Sequence, residues 1–293
     1  MATQQQEQRK RKRVCLFGTS ANPPTGDQGH LGIVKAIAGL KLQNEEESAF
    51  DEIRVVPVYS HPFASKRKLL APFDHRVQMC HVSLQGIPIV TISPAEQDIY
   101  QEKLEQQQLL LKGESAENSI SIGTADLLEY YNRQDDIPTD YTLCLGADTF
   151  LDFTGGKWRR TEDILDLIQG RFVVLFRQED ATDSGKQKQE QQQQPNQQRQ
   201  LEQAVAKLEG TNGSGSIRLL QVPTLGAVSS TLVRKLSREM SQSEDSTGNT
   251  NAQKLTEQNQ QQQIAELQLR EIVDSRVLEY MKEHGLYGFQ KDA

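Results

Sequence analysis

The chain has 293 residues, a net charge of -7 and an apolar fraction of only 35%. That length holds one or two domains with a sizeable core, while the acidic balance argues against a protein that coats nucleic acid. No apolar run is long enough to span a membrane, and the polar N-terminus lacks the apolar core of a signal peptide.

Residues 1–13, closing on the basic run Arg9–Arg13, read as a disordered leader. Val14–Phe17 has the length and composition of a buried strand. Gly18 ends it, a loop with Pro23 and Pro24 follows, and from Gly29–His30 onward Leu31, Val34, Ile37 and Ala38 recur on one helical face. An acidic loop, Glu45–Ser48, leads to a second strand at Ile53–Val58. A basic loop then passes, at about Pro72, into a helix expected to bury Val77, Cys80, His81 and Leu84. Ile87–Ile92 is the third strand, and Ile120–Tyr131 has helical spacing with Leu127, Leu128 and Tyr131 inward.

Tyr141–Leu145 reads as a strand ending at Gly146-Ala147-Asp148, Ile164–Ile168 as part of a helix, and Phe172–Phe176 as another buried strand. A strand at Ile217–Val222, a helix opening at Val228-Ser229-Ser230-Thr231 and a last helix at Ile272–His284 complete the series. Three Gln-rich stretches, at about 101–118, 178–216 and 241–263, read as surface insertions, parts of them helical, because they bury too little apolar surface to offset their ordering entropy. Alternating strands and helices predict an α/β, Rossmann-like parallel sheet with helices on both faces, in one domain over residues 14–290. Cys15, Cys80 and Cys144 lack metal-type spacing and read as buried free thiols, which fits a reducing compartment.

Four local patterns carry chemistry. A strand, a glycine-containing loop and a helix N-terminus offer free amides and a dipole to an anion, with His30 in the first turn. Lys66-Arg67-Lys68, after the second strand, is a cationic loop suited to a phosphate. Asp148, at the carboxyl end of a strand, is positioned for a ribose hydroxyl, and Gly146 lets a ligand approach the backbone. Ser229 or Ser230 caps a helix whose first amides are free, with Arg234 one turn in.

Gly18, Thr19, Pro23 or Pro24, Thr25, Gly29 and His30 resemble the nucleotidyltransferase signature G-[ST]-x-x-x-P-x-[HT]-x-G-H. Together with His75-Arg76-Val77-Gln78-Met79, Gly146-Ala147-Asp148, Trp158 and Ser229-Ser230-Thr231-x-x-Arg234, the chain resembles the nicotinate/nicotinamide mononucleotide adenylyltransferases. Thr25 stands where a His is usual, Gly26, Asp27 and Gln28 lengthen the stretch before Gly29-His30, and Gly155-Gly156-Lys157 precedes Trp158.

The resemblance implies adenylyl transfer from ATP to a pyridine mononucleotide, with His30, Thr25 and Arg234 at the reacting phosphates. It assigns Gly18, Thr19, His30, Gly146, Asp148, Ser229, Ser230, Thr231 and Arg234 to ATP. It assigns Ser65, Lys66, Arg67, Lys68, Thr124 and Trp158 to the mononucleotide. Mg²⁺ is expected to arrive with ATP, and no protein metal site is expected. No nucleic-acid or membrane partner is expected, and a homo-oligomer is compatible with the sequence. The default location is the cytoplasm, with the basic leader leaving the nucleus open. The alternatives are another acceptor within the superfamily, as in pantetheine-phosphate or cytidylyl transfer, and an inactive nucleotide-binding scaffold.

Overall fold

The computed structural model describes residues 11–42, 46–61, 64–110, 120–176, 197–212, 216–222, 228–241 and 252–290. Much of the expected leader and parts of all three Gln-rich stretches lie outside the described residues. Among those residues, the strands β1 (Lys12–Thr19), β2 (Glu52–Pro57), β3 (Val90–Ile92), β4 (Thr139–Gly146), β5 (Phe172–Phe176) and β6 (Ile217–Gln221) form one sheet. The order is β3-β2-β1-β4-β5-β6 and every pairing is parallel. The order reverses between β1 and β4, which opens a crevice beyond their carboxyl ends, where ligands bind in such folds.

Side chains of β1 alternate between two apolar layers. Val14 and Leu16 point to one layer, shared with Tyr141, Leu143, Phe172 and Val174, and Cys15 and Phe17 to the other, shared with Cys144, Val173 and Leu175. The helices α1 (His30–Ala38), α2 (Ala64–Arg67), α3 (Phe73–Leu84), α4 (Ala95–Leu110), α5 (Thr124–Gln134), α6 (Ala147–Thr154) and α7 (Thr161–Ile168) precede β5. After it come α8 (Gln197–Asn212), α9 (Ser230–Ser241), α10 (Ala252–Ile272), α11 (Ser275–Glu283) and a 3₁₀ turn at Leu286–Gly288. α4 to α8 cover the first layer, α1 and part of α3 the second, and α3, α9, α10 and α11 enclose a third cluster around Met79 and Leu269. The α/β Rossmann-like architecture is therefore as the sequence predicts.

Several boundaries and faces differ. β1 starts at Lys12, because Lys12 Nζ pairs with Glu52 at 2.7 Å and Arg13 with Asp51 at 2.7 Å, so both charges are neutralised at the amino end of this interior strand. α3 buries Arg76, Met79, Cys80, Ser83 and Leu84, whereas His81 is exposed and Val77 half-buried. The helix is turned so that Arg76, rather than an apolar side chain, occupies the inner row. The helical stretch expected from Ile120 starts at Thr124, where the Asp126 carboxylate accepts the Gly123 N–H at 2.8 Å. The expected last helix is broken at Val273-Asp274, where Asp274 caps α11 by accepting from the Arg276 N–H at 2.9 Å.

Candidate active site

A cleft of about 460 Å³ opens at the carboxyl ends of β1, β4 and β5. Phe17, Gly146, Leu175 and Phe176 form its floor at the strand ends, and Thr25, Gly29, His30, Asp148, Gln197 and Val228 form its walls.

The extra residues between Thr25 and His30 do not separate the pair. Gly29 N–H donates to Gly26 O at 2.9 Å, closing a turn that pushes Asp27 and Gln28 into solvent. The His30 N–H donates to Thr25 Oγ1 at 3.0 Å, the Thr25 N–H donates to His30 Nδ1 at 3.1 Å, and Thr25 Oγ1 lies 2.7 Å from that same nitrogen. Nδ1 is thus an acceptor for a backbone donor, which leaves the ring proton on Nε2. Burial alone pushes His30 from its ordinary value of 6.5 down to about 4. At neutral pH His30 is an uncharged donor through Nε2–H. The ring resonances are accordingly expected to stay fixed between pH 8 and about pH 5.5, with nitrogen shifts of the Nε2–H tautomer. A midpoint near the ordinary value of 6.5 would contradict this arrangement.

The loop after β1 is the meeting point of three of the sequence motifs. Ser230 Oγ donates to Pro23 O at 2.7 Å, and Arg234 Nη1 donates to Asn22 O at 2.6 Å. Arg234 Nη2 also donates to Thr231 Oγ1 at 3.0 Å, and partial burial lowers the Arg234 pKa. Ser229, not Ser230, is the helix cap, its Oγ accepting from the Leu232 N–H at 3.2 Å. The Arg234 guanidinium thus spends one donor on the loop and one on the first turn of its own helix.

Asn22 ties in the basic loop. Its Nδ2 donates to Leu69 O at 2.7 Å, and its Oδ1 accepts from the Ala71 N–H and from the Tyr287 hydroxyl, each at 2.9 Å. Arg76 completes the junction. Its Nε donates to Ala71 O at 3.0 Å, and its Nη1 to Ser20 O at 3.0 Å and Val58 O at 2.6 Å, from a site only 1% exposed.

The structure therefore brings Thr25, His30, Gly146 and Asp148 together in one cleft and fastens Ser230 and Arg234 to its rim. Gly18 and Thr19 end the strand that floors it, Thr19 Oγ1 accepting from the Ala21 N–H at 3.1 Å. A Cβ on Gly18 or Gly146 would meet nothing within 4 Å, so at both strand ends the open space faces outward. The expected basic loop is partly helical: Ser65, Lys66 and Arg67 lie in α2 and Lys68 follows it, none of them on the cleft wall, and Asn22 holds the stretch just after them at Leu69 and Ala71. Lys66 and Arg67, with burial first, hold the His61 pKa down, which marks a local positive field. Thr124 and Trp158 are not on the cleft wall either. Thr124 opens α5, and Trp158 packs edge-to-face on Phe153 at 5.3 Å.

Sequence reasoning missed Gln197, Asn22 and Arg76 as parts of the site. Gln197 lay hidden in a low-complexity stretch, while Asn22 and Arg76 stood inside quoted motifs, where the cues were a polar residue before Pro-Pro and a cation in an apolar helix row.

Among the described residues no group of three or more His, Cys, Asp or Glu could hold a metal ion, and no helix is long and apolar enough to cross a membrane. Fold and cleft together define an α/β protein with a Rossmann-like ligand crevice, an architecture consistent with a nucleotidyltransferase. The chain is similar to the probable nicotinate-nucleotide adenylyltransferase of Anaeromyxobacter dehalogenans (strain 2CP-C), with 27% identity over 168 residues, covering 57% of this chain and 72% of that protein. No family model matches the chain.

Proposed function

We propose that the chain transfers the adenylyl group of ATP to nicotinate or nicotinamide mononucleotide, as a single domain over residues 14–290, yielding the dinucleotide and pyrophosphate. The observation that carries this reading is the Thr25–His30 pair, with His30 Nδ1 pinned and its Nε2–H free as a donor in a cleft that also holds Asp148. The similarity to a probable nicotinate-nucleotide adenylyltransferase supports the same chemistry.

In this reading an oxygen of the mononucleotide 5′-phosphate attacks the α-phosphorus of ATP. A P–O bond forms there, the bond to the bridging oxygen breaks, and pyrophosphate leaves with the electron pair. Catalysis is positioning plus charge stabilisation, with no covalent enzyme intermediate. His30 Nε2–H donates to an α-phosphate oxygen, and being neutral it neither adds nor removes a proton over the working pH range. The amides opening α9 and the free donors of Arg234 hold the β- and γ-phosphates. Gly18, Thr19 and Gly146 leave room for the nucleotide, and Asp148 accepts from its ribose. A side chain among Ser65, Lys66, Arg67 and Lys68 holds the attacking phosphate, with Thr124 and Trp158 toward the pyridine. Among the described residues Asp148 is the one carboxylate on the cleft wall, which suits a Mg²⁺ held chiefly by ATP phosphates and water, neutralising their charge.

His30→Ala separates binding from chemistry. ATP affinity is expected to stay within about threefold, while transfer falls by about 100-fold, the loss typical of one preorganised donor. Calorimetry and a transfer assay on the same preparation check this, and an unchanged transfer rate would remove His30 from the mechanism. Pantetheine-phosphate adenylyl transfer changes only the acceptor and cytidylyl transfer also changes the donor to CTP, so assays with those substrates distinguish both from the pyridine reading.

A further inference from the structure

The Gln-rich stretch after β5 delivers a side chain into the cleft. Parallel strands β5 and β6 require a crossover, and α8 lies on that connection. Leu201 is fully buried, and Ala204, Val205 and Leu208 pack against the same apolar layer. These positions follow the i, i+3, i+4, i+7 rule for one helical face, so α8 is anchored as a core helix despite its composition. The anchoring fixes its first residue, Gln197, which is half-buried on the cleft wall with Nε2 donating to Asp148 Oδ1 at 2.9 Å.

That bond uses one amide hydrogen and one carboxylate oxygen. Asp148 Oδ2 and Gln197 Oε1 remain, two acceptors carried on one hydrogen-bonded pair, and neither has a further partner among the described residues. Adjacent acceptors select a ligand with adjacent donors. Within a nucleotide the vicinal diol of the ribose supplies them, whereas phosphates supply only acceptors.

We infer that Gln197 and Asp148 together read the ribose diol, and that Gln197 sets a preference for ribonucleotides over deoxyribonucleotides. This rests on the nucleotide reading of the cleft. A missing hydroxyl leaves one acceptor unpaired in the complex, a loss of about tenfold in affinity. Asp148 alone could bind one hydroxyl, and the amide both orients the carboxylate and adds the second acceptor.

The test is calorimetric titration of the full chain with ATP, 2′-deoxy-ATP and 3′-deoxy-ATP, for wild type and Gln197→Met. Wild type is expected to bind ATP about tenfold more tightly than at least one deoxy analogue. Gln197→Met should bind ATP about tenfold more weakly and that analogue unchanged, so the preference closes to within about twofold, as a lost pairwise interaction requires. Gln197→Ser, which lacks the reach and suits a helix start, should behave likewise and covers the case of a poorly folded Met variant. An unchanged preference in both variants overturns the inference. Tighter ATP binding in both also overturns it, making Gln197 a plug that the nucleotide displaces. Wild type that binds none of the three nucleotides overturns the nucleotide reading and this inference together, whereas ATP binding with an unchanged preference overturns this inference alone.

Discussion

Gly29→Ala is expected to lower adenylyl transfer by about 100-fold or more, the loss that goes with removing a preorganised donor. The added Cβ would stand 1.9 Å from Thr25 Oγ1 and 2.8 Å from Thr25 Cβ. Thr25 is only 1% exposed, so its side chain has no space to retreat into. Relief of the clash must come from moving Thr25 or the turn, and either breaks the contacts that fix His30 Nδ1. Gly18→Ala is the control, since a Cβ there meets nothing within 4 Å. Its melting temperature should match wild type, while that of Gly29→Ala falls. A Gly29→Ala protein retaining half of the wild-type rate would show that the Thr25–His30 geometry does not limit transfer.

Arg76→Met should destabilise the fold by about 3 kcal/mol or more, because it removes a buried guanidinium and leaves several part-buried carbonyl groups without their donor. The side chain is nearly inaccessible and bridges Ser20, Val58 and Ala71, so one substitution unties the loops after β1 and β2 and the exit of the basic loop. Burial lowers the Arg76 pKa, yet a guanidinium stays charged, and backbone carbonyl dipoles replace its water. Arg76→Lys should recover little, since one ammonium cannot span carbonyls that a planar fork reaches from two sides. In thermal unfolding, a loss of that size in a folded region of about 200 residues corresponds to roughly 6–12 °C. A shift under 2 °C for Arg76→Met would mean that the carbonyls find water and that Arg76 is not the tie.

Most strands were legible as short apolar runs with a clear end, as Phe172–Phe176 shows by matching β5 residue for residue, whereas the third is only Val90–Ile92 of the expected Ile87–Ile92. The cleft residues His30, Asp148 and Gly146 were legible because strand ends and helix starts in an α/β sheet converge on one edge. The face of α3 was not legible, because apolar periodicity points to Val77 and cannot show that three loops offer carbonyls to Arg76. α8 escaped for the opposite reason. Its composition reads as solvated, but the crossover between β5 and β6 gives Leu201 a core to enter. The lengthened loop before His30 was readable as a departure, but not its outcome, which depends on a hydrogen bond from Gly29 to Gly26 that keeps Thr25 and His30 together.

Adenylyl transfer to a pyridine mononucleotide is measured by pyrophosphate release from ATP and Mg²⁺ with nicotinate or nicotinamide mononucleotide as acceptor. Release that requires one of these mononucleotides, matched mole for mole by dinucleotide, is the predicted result. ATP binding with no release for either acceptor would contradict it.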